Sequence, residues 1–197
     1  MSIFEIKNSL YEAKQCLSSL IECEDTLENI QKASDLMVEC IKRKGHIYSC
    51  GNGGSSCDAM HFAEEMTGRY RDSRPALPAF SMLDSANMSC ISNDFGYKFV
   101  FARYIEAAAR LGDVLLAIST SGNSENIIEA ANVAKDKGVS VIVLTGNRDS
   151  KLGKMADIVI ETPAGRYADR VQELHIKVIH ILIEQVERSV YPNLYKS

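Results

Sequence analysis

Two rhythms of apolar residues alternate along this chain. In the first, Ile3, Ile6, Leu10, Ala13, Leu17 and Leu20 step by three and four positions, the 3.5-residue seam of one long helix lying on another. The seam fits a helix that packs on a second subunit, and equally a cover helix on its own domain. Leu27, Ile30, Ala33, Met37 and Ile41 mark a second helix, which Gly45 should end. A β-rich run follows at 46–50. Pro75 and Pro78 punctuate a passage leading to a short strand near 79–82. Residues 83–95 read as irregular, with Asp84, Asn87, Asn93 and Asp94 as turn or cap residues. Residues 97–110 look helical.

The second rhythm is uninterrupted. Val114, Leu115, Leu116, Ala117 and Ile118 form a continuous apolar strand, 139–144 another, and 157–161 a further one. A helix at 125–137, stopped by Gly138, lies between the first two, and a helix at 171–190 closes the chain. Strands this apolar, alternating with helices, dictate a parallel sheet covered on both faces. Ligands of such sheets bind beyond the carboxyl ends of the strands.

Chemistry gathers at two of those ends. After the 46–50 strand, Gly51, Gly53 and Gly54 make a turn, and Ser55 with Asp58 reads as a capping box. In the helix that follows, Ala59, Phe62, Ala63 and Met66 form the buried stripe. Asp58, His61 and Glu65 line one edge of it. Ser56 stands where a dinucleotide fingerprint needs its third glycine, so that motif is absent. The turn is compatible with a plain connection and with a ligand loop. His61 and Glu65 have a spacing that suits a metal and equally a surface ion pair. After the 114–118 strand come Ser119, Thr120, Ser121, Gly122, Asn123 and Ser124. Their hydroxyls, with backbone N–H groups at a helix N-terminus, favour a phosphate monoester over an ordinary cap. No Gly-Lys-Ser/Thr ending is present, which excludes a P-loop. The last helix is apolar over more than half its girth, from Ile176 to Val186, so it should be buried, by a neighbouring subunit as well as by its own sheet. Gln172, Glu173, Lys177, His180 and Glu184 share its remaining arc. His180 alone fits a satisfied structural histidine as readily as a ligand.

Composition narrows the reading further. At 197 residues the chain can bury a sizeable core, and its net charge of −4 gives no basic footprint for nucleic acid. The six cysteines include no C-x-x-C pair and read as reduced thiols of a cytoplasmic protein. Neither a signal-peptide pattern nor a membrane-length apolar run is expected.

At this point the residues carry a resemblance. C-G-N-G-G-S-S-C-D-A-M-H-F-A-E-E from Cys50, the S-T-S-G-N-S loop from Ser119, and Y-A-D-R-V-Q-E-L-H-I-K-V-I-H from Tyr167 closely resemble the sugar isomerase (SIS) domain family. Order and spacing are kept over essentially the whole chain. The resemblance implies a flavodoxin-like α/β fold, a five-stranded parallel sheet between helices with an N-terminal helical extension. It implies one SIS domain over 1–197, with 1–44 used in packing and oligomerisation and 45–197 as the α/β core. It also implies a homotetramer with active sites at subunit interfaces, and a zinc ion in each subunit. The activity implied is aldose–ketose isomerisation of a sugar phosphate, sedoheptulose 7-phosphate to D-glycero-D-manno-heptose 7-phosphate. By motif, Asn52, Gly53, Gly54 and Ser55 would meet the sugar, and Asn93 and Asp94 its hydroxyls. Ser119, Thr120, Ser121 and Ser124 would hold the phosphate. His61, Glu65, Gln172 and His180 would bind zinc, with Glu65 and His180 also the acid–base pair. Arg69 and Asp169 fall near the site. The commoner family loop carries alanines where this chain has Ser56 and Cys57. A related SIS protein that binds a replication initiator, and sugar-phosphate-sensing SIS regulators, offer a non-catalytic alternative. Glu65, four residues after His61, favours the enzyme.

Overall fold

A computed structural model of the chain describes residues 2–163, 165 and 167–195. Five strands run parallel in one sheet: β1 (Ile47–Gly51), β2 (Ala79–Ser81), β3 (Val114–Ile118), β4 (Ser140–Thr145) and β5 (Ile158–Glu161). Their order is β2-β1-β3-β4-β5. The chain therefore reverses its winding between β1 and β3, the switch point where flavodoxin-like sheets open a crevice. Gly51 of β1 pairs with Ile118 of β3, and Ile118 with Leu144 of β4, so these strands end level at that crevice.

Alternate residues of each strand feed two separate cores. Ile47, Val114, Leu116, Ile118, Ile142, Leu144 and Ile160 point to one face, where α2 (Glu24–Lys42), α3 (Gly54–Thr67) and α7 (Ala168–Val190) pack. Tyr48, Cys50, Leu115, Ala117, Val141 and Val143 point to the other. There they meet α4 (Ser85–Phe95), α5 (Ala102–Ala108) and α6 (Glu125–Asp136). Burial on both faces is why the strands are apolar without alternation. The expected stripe of α3 is wholly inside: Ala59, Phe62, Ala63 and Met66 are all buried.

α1 (Ile3–Ile21) is different. Its seam is largely bare, with Ile3 74%, Ile6 57% and Leu10 66% exposed, and only Leu20 is buried. Arg170 at the head of α7 ties it down through Ser9 and Glu12.

Four local expectations need correction. Residues 83–95 are not irregular: from Ser85 they form α4, capped by Asp84, whose carboxylate accepts from the Asn87 N–H at 2.7 Å. Only Met88 and Ile91 give it apolar contacts, so no periodicity announced it. Ser55 and Asp58 make no capping box. The helix begins two residues earlier, with Gly53 at the cap in a left-handed conformation (φ 54°) that disfavours side chains. At the end of α2 the left-handed residue is Lys44, not Gly45. The Gly45 N–H reaches the Cys40 carbonyl and that of Lys44 the Ile41 carbonyl, a Schellman closure shifted by one position. Residues 97–110 break into a 3-10 turn (Tyr97–Phe99) and the shorter α5.

Candidate active site

Two groups of side chains stand along α3 and α7, one at the crevice and one further down the two helices. The first forms where the loops after β1 and β3 face each other. Asn52, Ser55, Ser119, Thr120, Ser124 and Gln172 line a cavity of about 80 Å³ floored by Ile118 and Ile127. Ser124 sits at the N-cap of α6 but makes no capping bond; its hydroxyl stands 3.3 Å from that of Ser119. The two hydroxyls thus face the cavity from the positive end of a helix, an arrangement suited to an anion. Gly54 matters by close approach. A Cβ there would stand 2.6 Å from Gln172 Nε2, so the glycine lets the α7 amide lie over the loop.

The second group lies on the seam between α3 and α7. His61 Nε2 is 3.3 Å from Glu65 Oε1 and 3.2 Å from His180 Nε2. One ligand atom from each of the three falls within 4.8 Å of the others. Two imidazole nitrogens and a carboxylate oxygen aimed at one point are a donor set that fits a divalent metal. Desolvation, reinforced by His61, lowers the pKa of His180 despite the opposing pull of Glu65. His180 is therefore neutral near pH 7, the form that ligates or accepts a proton. Its ring also lies 5.7 Å from that of Tyr70. One turn before His61, Asp58 has a buried Oδ2 without a hydrogen-bond partner among the described residues. Burial pushes its pKa to about 6 against the pull of His61.

The remaining expected residues stand outside the cavity in the single chain. Arg69 is exposed just beyond α3. Asn93 and Asp94 are exposed at the end of α4 and bonded to each other. Asp169 accepts from the Arg170 N–H in the first turn of α7. Ser121 accepts from the Asn123 N–H on the loop's outer side.

Several contributors carried no sequence signal. Asn126, buried in α6, exchanges two hydrogen bonds with Asn52 at 2.9 and 2.8 Å and so fixes the glycine loop. Tyr97 donates to Asn52 as well. His175, one turn beyond Gln172, is fully buried against the Thr145 backbone, with neither ring nitrogen in a well-formed hydrogen bond among the described residues.

Comparison with known proteins agrees with this fold. The SIS domain profile matches residues 11–146. The chain belongs to the SIS domain family, whose fold here is the parallel α/β sheet described above. Within it, the chain is 57% identical over 94% of its length to the phosphoheptose isomerase of Cytophaga hutchinsonii, covering 97% of that protein. The phosphoheptose isomerase structure from Neisseria gonorrhoeae superposes with a TM-score of 0.87 at 36% identity, over 94% of this chain and 99% of that one. That from Francisella tularensis gives 0.89 at 31% identity, over 95% and 100%. The protein is an isomerase enzyme by these relatives.

Proposed function

We propose that this chain converts sedoheptulose 7-phosphate to D-glycero-D-manno-heptose 7-phosphate, an entry step to nucleotide-activated heptose such as that of lipopolysaccharide core. The observation that supports it best is the pairing of a hydroxyl-lined anion cavity at the sheet's switch point with the His61–Glu65–His180 cluster further along the same two helices, α3 and α7. The hydroxyl loop would take the phosphate. His180 lies eight residues beyond Gln172, about 12 Å along α7, so the reacting end of an extended sugar would reach the cluster.

The reaction moves a proton from C1 to C2 of the ketose and another from the C1 oxygen to the C2 oxygen, with no net gain or loss. Glu65 and the neutral His180 would accept and return those protons, and such groups each contribute roughly a hundred- to ten-thousand-fold. In this reading zinc would be the metal, held by His61, Glu65 and His180, with Gln172 completing the set either by reaching down α7 or from another subunit, and it would supply Lewis-acid polarisation of the substrate carbonyl. Asn52, Asn93, Asp94, Arg69 and Asp169 would complete the sugar contacts in an assembly of subunits.

The bare seam of α1 supports that assembly, with residues 1–44 packing between copies of a core formed by 45–197. The symmetric homotetramer is the assembly expected here. No helix among the described residues is long and apolar enough to cross a membrane. Incubation with sedoheptulose 7-phosphate, followed by NMR, should show the aldose phosphate. Absence of turnover by zinc-loaded protein would remove the assignment. Light scattering should give a multiple of 21.8 kDa; a monodisperse monomer at micromolar concentration removes the assembly.

A further inference from the structure

Below the His61–Glu65–His180 cluster, the seam between α3 and α7 continues as a file of charges. His180, Glu184 and Glu187 follow one another at i, i+4 and i+7 along α7. Arg71 reaches Glu184 at 2.9 Å, partly in solvent. Arg74 reaches Glu187 at 2.7 Å, and there both side chains are out of solvent, 1% and 0% exposed. A buried ion pair of this kind gives little net stability, because desolvation offsets most of its attraction. Its geometry is more informative than its energy.

Arg74 spends its remaining donors on the end of α3. Its Nη2 donates to the carbonyl of Glu65 at 2.7 Å, and its Nη1 to those of Met66 at 2.6 Å and Gly68 at 3.1 Å. These are carbonyls of the helix's last turn and cap, which lack the usual intrahelical partners. Tyr195 closes the far side, donating to Glu187 Oε2 at 2.7 Å. One guanidinium therefore holds the backbone of Glu65 itself on one side and α7, two turns from His180, on the other.

We propose that Arg74, clamped by Glu187, is a positioning residue that sets the separation between the His61/Glu65 pair on α3 and His180 on α7. The inference rests on the reading of those three residues as the metal-binding, proton-moving group. The planar guanidinium has five donors in a fixed fork, so it spans a carboxylate and a row of carbonyls at once. An ammonium at the same place reaches one or the other. Without the clamp, α3 frays at its last turn, and Glu65 is in that turn.

The test separates positioning from bulk stability. Arg74→Met/Glu187→Met removes both charges and keeps apolar volume, a replacement that buried ion pairs often tolerate with no loss of stability. Zinc affinity by competition with a chromophoric chelator, the visible spectrum of the Co²⁺-substituted protein, and kcat and KM on sedoheptulose 7-phosphate are measured on the folded double variant. The expected result is a fall of about ten- to a hundredfold in zinc affinity, as for other partners that orient metal ligands, with an altered Co²⁺ spectrum. Beside it, kcat should fall by at least about tenfold while KM moves by less than about threefold. A folded double variant with native zinc affinity, Co²⁺ spectrum and kcat overturns the proposal, since that is what a purely structural pair predicts. Should the double variant fail to fold, Arg74→Lys decides, because it keeps the charge beside Glu187 but cannot also hold the Glu65 carbonyl. The same losses are then expected, and native values refute the positioning role. Wild-type protein that takes up neither metal would sink the metal reading instead, and the kcat comparison would still decide whether Arg74 positions Glu65 and His180.

Discussion

Gly54 and Gln172 are in contact without a side chain between them: a Cβ on the glycine would stand 2.6 Å from the glutamine Nε2 and 2.8 Å from its Oε1. Gly54 is also the first residue of α3, where alanine is no worse a helix former than glycine. Gly54→Ala should therefore separate two quantities. The melting temperature should hold or rise slightly, because the atom displaced is the far end of a flexible side chain. The ratio kcat/KM should fall by about tenfold or more, because Gln172 is pushed off the loop cavity. Thermal melts and steady-state kinetics on the same preparation check both halves, and native kinetics would show that Gln172 need not lie there.

Glu65→Gln keeps shape and removes both charge and basicity. It should lower kcat by at least about a hundredfold with the fold retained. His180→Asn should behave comparably. Metal analysis of each variant then assigns the roles, since an inactive Glu65→Gln protein that still carries zinc identifies the carboxylate as the proton acceptor. Normal turnover by both variants would place the chemistry elsewhere.

Ser119 and Ser124 turn hydroxyls 3.3 Å apart toward the cavity. Replacing either with Ala should raise KM more than it lowers kcat, because grip on a phosphate is shared by ground and transition states. Inorganic phosphate should correspondingly inhibit the wild type more strongly than either variant. Unchanged KM in both would take the loop out of the site.

Burial drives His175 from 6.5 to about 4. The unfolded chain therefore takes up this proton first as the pH falls, and the stability contributed by the neutral ring, full above about 6.5, is lost toward pH 4, by at most about 3 kcal/mol. Asp58 works the other way, its raised value of about 6 favouring the folded state as the pH drops below it. His175→Leu should flatten the loss of stability between about pH 7 and pH 4.5, measured by urea denaturation at each pH. An identical slope in variant and wild type would show that the ring escapes protonation by another route.

How much of this was readable in advance depended on whether a feature is local. β3 and α6 fall where the apolar run and Gly138 placed them, because a doubly covered strand and a glycine-stopped helix leave their period in the sequence itself. His61 and Glu65 were legible for the same reason, being one turn apart. α4 was not, since its serines and asparagines favour turns as readily as a helix and its single buried residue, Ile91, sets no rhythm. The Ser55–Asp58 box failed because Gly53 took the cap position. Asn126 was invisible, as its partner Asn52 lies 74 positions away. Arg74 and Glu187 are 113 positions apart, and neither has a neighbour that hints at the other.

That last pair constrains what the chain can become. Losing either member alone strands a charge where no water reaches it, at a cost of about 3–5 kcal/mol, a large share of a domain's whole margin. A lineage drifting one substitution at a time meets that barrier from both directions. Arg74 and Glu187 are therefore inherited as a single character, written in two distant places and replaceable only together.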